Sequence, residues 1–350
     1  MLLTPEEIRE TANWIVTHQE DDGGLPWWRD GKMDPWDHVH SAMGLTVAGR
    51  VEEARRAYRF LAATQTAEGG WYSWRERGEV TNRTQETNHA AYPATGLWQL
   101  YLATSDDDFL AEMWPVLDRA MRFVVDMQAA DGTISWAINK HGRPWNAPLL
   151  TGCASTHGSL VCAIRIAESL GHDRPEWYTA RERLARALND DRTAFLAEDL
   201  PDRVGRFSMD WYYPVLGGAV RGNEARNHLQ QTELVEHYVA EGIGCRCVDD
   251  RPWYTVAESC EFVLALDTAG LTSRAQEVFS WSRQFRKDHG GYWTGKTWPE
   301  NIHWPLEDNS WTSAAVLIAN DALGRKTATS ELFRSLSGDD LAARKSAVGS

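Results

Sequence analysis

The sequence predicts an all-α chain wound into an (α/α)6 toroid, with about twelve helices in an inner and an outer ring. Three observations predict it. One type of turn recurs, at Gln19-Glu20-Asp21-Asp22-Gly23-Gly24-Leu25-Pro26-Trp27, at Gln65-Thr66-Ala67-Glu68-Gly69-Gly70-Trp71 and at Gln128-Ala129-Ala130-Asp131-Gly132-Thr133-Ile134-Ser135-Trp136, with a degenerate copy at Asp288-His289-Gly290-Gly291-Tyr292-Trp293. Between the turns, apolar residues recur at helical spacing in paired segments. The connections alternate between a few polar residues and loops on the order of 14 to 22 residues, and long loops in compact domains are usually functional.

The elements follow in order. Thr4-Pro5-Glu6-Glu7 supplies an N-cap, an N1 proline and an N3 glutamate, and Ile8, Ala12, Ile15 and Val16 continue the first helix to residue 18. Asp34-Pro35-Trp36-Asp37 opens a second over 35–48. The rest are expected at 51–64, 87–104, 107–127, 150–170, 174–189, 210–221, 223–240, 255–269, 272–287 and 309–323. Gly49-Arg50, Ser105-Asp106, Gly171-His172-Asp173, Gly222 and Gly270-Leu271 are the short links. The helices before them carry Ala42, Gly44, Ala91, Gly96, Gly158, Gly217, Gly218, Ala265 and Ala314, small residues suited to a crowded inner ring. Residues 1–325 read as one catalytic domain and 326–350, where the pattern stops, as a C-terminal tail. An irregular helical solenoid is the alternative.

Composition narrows the function. With 36 basic against 50 acidic residues the net charge is -14, unsuited to nucleic acid or to an anionic membrane surface. A neutral or cationic small-molecule substrate is easier to accommodate. Hydrophobic residues at 43% and charged residues at 25% exclude a disordered chain. The chain starts without a basic, apolar leader and lacks a run long enough to span a bilayer. Its five cysteines form no disulfide framework, so a cytoplasmic location is expected. The 18 tryptophans suggest flat apolar walls for a ring-shaped ligand, or a large aromatic core.

Long loops enter the inner helices, so the N-terminal ends of those helices face the cavity, and most have an acid beside them. Asp34 and Asp37 flank Pro35, Glu86 precedes Thr87, Asp210 precedes Trp211-Tyr212-Tyr213, Glu258 lies one turn past Thr255, and Glu307-Asp308 precede Asn309. With Trp36, Trp211, Trp253, Trp304 and Trp311 nearby, indole faces can stack on sugar rings while carboxylates accept hydroxyl hydrogen bonds. Two of the acids can do the acid and base work of glycosidic cleavage. Each acid taken singly also reads as a helix cap. Asp34 and Asp37 resist that reading, because residues i and i+3 share a face and paired like charges need a reason. Trp71 and Trp136 read as clamps between helices. His38, His40, Cys245 and Cys247 lack the spacing of a metal site, so no metal or cofactor is expected. Cys153, Cys162 and Cys260 read as core residues, and the Gly152–Gly158 segment as close helix packing.

The turns and paired helices resemble the terpene-cyclase and protein-prenyltransferase toroids, although neither an Asp-x-Asp-Asp motif nor a zinc set is present. Five segments carry a closer likeness: Asp34-Pro35-Trp36-Asp37-His38, Asn88-His89-Ala90-Ala91-Tyr92, Phe207-Ser208-Met209-Asp210-Trp211-Tyr212-Tyr213, Trp253-Tyr254-Thr255-Val256-Ala257-Glu258 and Trp304-Pro305-Leu306-Glu307. Together they resemble the methylmannose polysaccharide hydrolases of mycobacteria, endo-acting α-(1→4)-mannosidases. The resemblance implies an intracellular enzyme that cuts a methylated mannan, with Asp34, Asp37 and Glu258 as catalytic acids. Trp36, Glu86, His89, Asp210, Trp211, Tyr212, Trp253, Trp304 and Glu307 are the expected substrate contacts. Glu258 is expected as general acid, Asp37 as base and Asp34 as a support for the water, with inversion at the anomeric carbon. An isoprenoid enzyme and a non-catalytic carbohydrate-binding toroid are the alternatives.

Overall fold

Half of the helices are amphipathic and half are buried nearly all round, and this difference sorts them into two rings. The computed structural model describes residues 1–145, 147–190, 192–195, 205–338 and 341. In chain order the helices are α1 (Pro5–His18), α2 (Pro35–Val47), α3 (Val51–Thr64), α4 (Thr87–Ala91), α5 (Pro93–Thr104), α6 (Asp107–Asp126), α7 (Leu150–Ser169), α8 (Pro175–Asp190), α9 (Met209–Leu216), α10 (Gly222–Leu229), α11 (Thr232–Tyr238), α12 (Val256–Thr268), α13 (Thr272–Trp281) and α14 (Ser310–Gly324). In α1 only Thr11, Ala12, Ile15 and His18 are buried, whereas every residue of α2 from Pro35 to Thr46 is. The inner ring runs α2, α5, α7, α9, α12, α14 and back to α2, each packed on the next, with α4 leading into α5. It is a closed ring, so the solenoid is set aside. No helix among the described residues is long and apolar enough to cross a membrane.

The expected helix limits mostly agree within one or two residues, and the departures have local causes. The helix expected over 210–221 ends at Leu216, because Gly218, just past the cap, takes a left-handed φ of +78° that a helix cannot continue through. The segment expected over 223–240 divides into α10 and α11, and that over 272–287 ends in a 3-10 turn at Ser282–Phe285. Proline at 93, which brings no N–H, separates α4 from α5.

The recurring turns join neighbouring outer helices. Gln19 Nε2 donates to the carbonyls of Gly23 (3.1 Å) and of Glu53 on α3 (2.9 Å). Gln65 does the same to Gly69 and to Val116 on α6, and Gln128 to Gly132 and to Ala180 on α8. In the degenerate copy the donor comes from the other side: Thr11 Oγ1 on α1 donates to the Gly290 carbonyl at 2.8 Å. That contact joins the end of the outer ring to its beginning.

The long loops contain strands that the sequence reading did not foresee. Strands β1 (Lys32–Met33), β2 (Tyr72–Glu76), β3 (Glu79–Glu86) and β4 (Ala137–Ile138) form one antiparallel sheet. Strands β5 (Val239–Ala240), β6 (Gly244–Arg246), β7 (Trp253–Thr255) and β8 (Gly295–Thr297) form another. Each sheet delivers an acid to the mouth: β3 ends on Glu86, and β7 runs into α12 one turn before Glu258. At the short-loop end, residues 328–336 of the expected tail pack as 3-10 turns, with Leu332, Phe333 and Leu336 buried in the core.

Candidate active site

Asp34 is the N-cap of α2. Its Oδ1 accepts from the Asp37 N–H at 2.9 Å and its Oδ2 from Trp27 Nε1 at 3.2 Å. The cap reading is therefore correct and incomplete, because Asp37, one turn on, is buried with its carboxyl against that of Asp34. Burial first, and then the Asp34 charge, push the Asp37 carboxyl well above its usual range.

Glu258 lies on α12, which is separated from α2 in the inner ring by α14. It is buried, and among the described residues its Oε2 has no hydrogen-bond partner. A buried carboxylate oxygen without a donor is costly, unless a water or a substrate hydroxyl supplies one. Glu261, the next turn of α12, is a site residue that the sequence reading missed. It accepts from the hydroxyls of Tyr213 at 2.6 Å and Tyr212 at 2.8 Å. Burial raises its carboxyl to about 8, with the Tyr213 hydroxyl opposing and the Glu258 charge adding. Its signal was available: Glu258 and Glu261 repeat the i, i+3 spacing of Asp34 and Asp37.

The other expected contacts divide. Trp36 is buried and stacks on Tyr92, ring centroids 3.9 Å apart. Glu86 accepts from Trp136 Nε1 at 2.9 Å and lies 3.5 Å from His89 Nε2, so Trp136 faces the mouth and is no mere clamp. Half-buried Trp253 donates through Nε1 to the carbonyl of exposed Trp304 at 2.6 Å. Glu307 is half-buried, its carboxyl raised chiefly by burial. Trp27, Trp28, Trp74 and Trp311 add an aromatic wall, with neighbouring rings 5.7 to 6.3 Å apart.

Three of the expected contacts are engaged within the protein. Asp210 caps a neighbouring helix, accepting from Thr151 N (3.1 Å) and Oγ1 (2.6 Å) at the start of α7. Trp211 lies in the core, its Nε1 donating to the His228 carbonyl. Tyr212 is wholly buried and holds Glu261. Helix periodicity explains the division, because neighbouring residues at a helix start point to different sides and only some face the cavity.

The remaining expectations concern packing. His38 bridges the Ala57 carbonyl (2.9 Å) and the Leu25 N–H (3.0 Å), and His40 Nδ1 lies 3.1 Å from the Tyr92 hydroxyl. All five cysteines are free and buried. Gly158 packs against Gly217, and His157 binds the Gly217 carbonyl.

No protein-family profile matches the chain. The MMP endo-(1,4)-3-O-methyl-alpha-D-mannosidase of Mycolicibacterium hassiacum is 45% identical over 333 residues, covering 95% of this chain and 90% of that protein. The drimenyl diphosphate synthase of Streptomyces showdoensis is 28% identical over 134 residues, only 36% of this chain. Among solved structures, an alanine variant of a glycosidase in complex with glucose has a TM-score of 0.69 at 15% identity, covering 91% of this chain and 96% of that one. A D-mannose isomerase has a TM-score of 0.69 at 10% identity, with the same coverage. At such identities the structures establish the toroid alone.

Proposed function

The chain belongs to the family of the MMP endo-(1,4)-3-O-methyl-alpha-D-mannosidase and is a glycoside hydrolase, and from that premise we propose that it cuts internal α-(1→4) linkages of a 3-O-methylated mannan using Asp37 and Glu258. One observation supports the choice of residues: among the described residues a buried side-chain oxygen of Glu258 lacks a donor, and Asp37, also on the inner ring, has its carboxyl raised well above the usual range by burial and by Asp34.

On this reading the roles run in the reverse of the order expected from sequence. Asp37 gives its proton to the glycosidic oxygen as the bond from that oxygen to the anomeric carbon breaks. Glu258 Oε2 accepts a proton from the water that attacks the same carbon, and the new C–O bond makes the reducing end of one fragment. Asp34 lies beside Asp37 and helps to raise its carboxyl. Because α14 stands between the helices of the two acids, this reading expects the wider carboxylate separation of an inverting enzyme. O-methyl groups give the sugar additional apolar surface for the indole wall to cover.

Mass spectrometry of 3-O-methylated α-(1→4)-mannooligosaccharides, incubated with wild type and with Glu258→Gln, tests this reading. Internal fragments are expected from wild type and none from the folded variant. Full turnover by Glu258→Gln would remove Glu258 from catalysis. The short likeness to drimenyl diphosphate synthase keeps an isoprenoid diphosphate as the second substrate to try.

A further inference from the structure

Large apolar side chains that remain exposed are concentrated in one place. Among the described residues they are Met1 and then Trp298, Ile302, Trp304 and Leu306, which are 39%, 59%, 54% and 79% exposed. A single exposed leucine needs no explanation, but four such residues within one short stretch form a patch of the kind that marks a binding surface.

The stretch is pinned in place. Thr297 N–H donates to the Ile302 carbonyl at 2.9 Å, Asn301 N–H to Thr297 at 3.0 Å, Trp304 N–H to Gly295 at 3.1 Å and Trp298 N–H to Pro252 at 2.9 Å. The backbone that would have to move to hide these side chains is thus tied to β7 and β8. The patch is also continuous with the active site. Trp304 lies edge to face on Trp253, ring centroids 5.0 Å apart, and Trp253 begins the strand that leads into the helix of Glu258. Glu307, on the mouth, follows Leu306 directly. An occupant of the patch therefore lies end to end with an occupant of the cavity.

We propose that Trp298, Ile302, Trp304 and Leu306 form an outer subsite, which takes the methylated faces of the polysaccharide beyond the sugars held in the cavity. The inference rests on the reading of the substrate given above. A polymer chain running out over Trp253 is the occupant that this continuity selects. Methylation suits it, because each O-methyl group replaces a hydroxyl donor that an apolar surface would leave unpaired. The enzyme then discriminates by length, holding long chains at two places and short ones at the cavity alone.

The test compares wild type with the double variant Trp298→Ser, Leu306→Ser on two probes, a methylated α-(1→4)-mannan polymer and a short methylated oligosaccharide of the same linkage. The ratio of kcat/KM for polymer to that for oligosaccharide is expected to fall by about tenfold in the variant, mostly through KM. The thermal midpoint should not change, because neither side chain belongs to the core. A ratio equal to that of wild type overturns the subsite. So does sedimentation showing a wild-type dimer and a monomeric variant with the ratio unchanged, which makes the patch a contact between copies. Wild type inert towards both probes removes the proposed substrate, and the occupant with it. Wild-type turnover with no effect of length removes the outer subsite alone.

Discussion

At the scale of single residues, the Asp34–Asp37 pair has a consequence for pH. A general acid acts in its protonated form, so kcat/KM falls as pH rises through its pKa. Burial and the Asp34 charge hold the Asp37 carboxyl well above its ordinary range, which carries the alkaline limb of the profile upward. Asp34→Asn removes the second of these causes and keeps an oxygen to accept from the Asp37 N–H. The alkaline limb is therefore expected to move to lower pH, as measured by kcat/KM profiles of both proteins on the same oligosaccharide. An unmoved limb would mean that Asp37 is not the titrating acid. Asp34, Asp37 and Glu258 were legible in the sequence because a long loop, an acid and a helix start coincide at each. Glu261 was passed over, although its spacing from Glu258 repeats that of the first pair. Trp211 and Tyr212 were misplaced for a different reason: proximity to a helix start gives height in the toroid and says nothing of the side a residue faces.

At the scale of elements, the Gln–Gly turn is a clamp whose parts can be weighed against each other. Gln65→Ala removes three hydrogen bonds, the two donated to the Gly69 and Val116 carbonyls and the one accepted from Arg119, a loss of about 1–3 kcal/mol. Gly69→Ala acts on the backbone itself. Its φ is +105° and a Cβ would lie 2.4 Å from the Arg119 carbonyl oxygen on α6, so the turn must withdraw from the neighbouring helix. Denaturant unfolding is expected to show the larger loss for Gly69→Ala, and the reverse order would place the strength of the clamp in the glutamine. The clamps were legible because one chemical solution recurs with the same residues. The strands were not. The hairpin of β2 and β3 alternates poorly in the sequence because much of β3 is exposed, so the period of two on which strand recognition depends is missing.

At the scale of the whole molecule, the ring must close, and closure is a long-range fact that local periodicity does not carry. The number of helical pairs indicated a toroid, while the seam itself is visible only in the packing of α14 against α2. There Ser41 Oγ donates to Ser310 Oγ, the Ser310 N–H donates to the Trp27 carbonyl, and a Cβ on Gly44 would lie 2.5 Å from the Ala314 Cβ. Where a glycine faces an alanine and the other contacts are serines, two helices approach more closely than larger side chains would permit. Gly44→Ala forces them apart, with an expected cost of about 1–3 kcal/mol. Because α2 carries Asp34 and Asp37 and α14 stands between them and Glu258, the same displacement should change the distance across which proton and water are delivered. Gly49→Ala, just past the end of α2, provides the contrast. Its φ is +78° and nothing lies within 4 Å of the added carbon, so it strains the turn by about 1 kcal/mol without moving a helix. Both variants are expected to lose thermal stability, but only Gly44→Ala should also lose kcat. If kcat falls equally in the two, the spacing of the acids does not depend on the seam, and the geometry of the site is held by the loops and sheets of the rim instead.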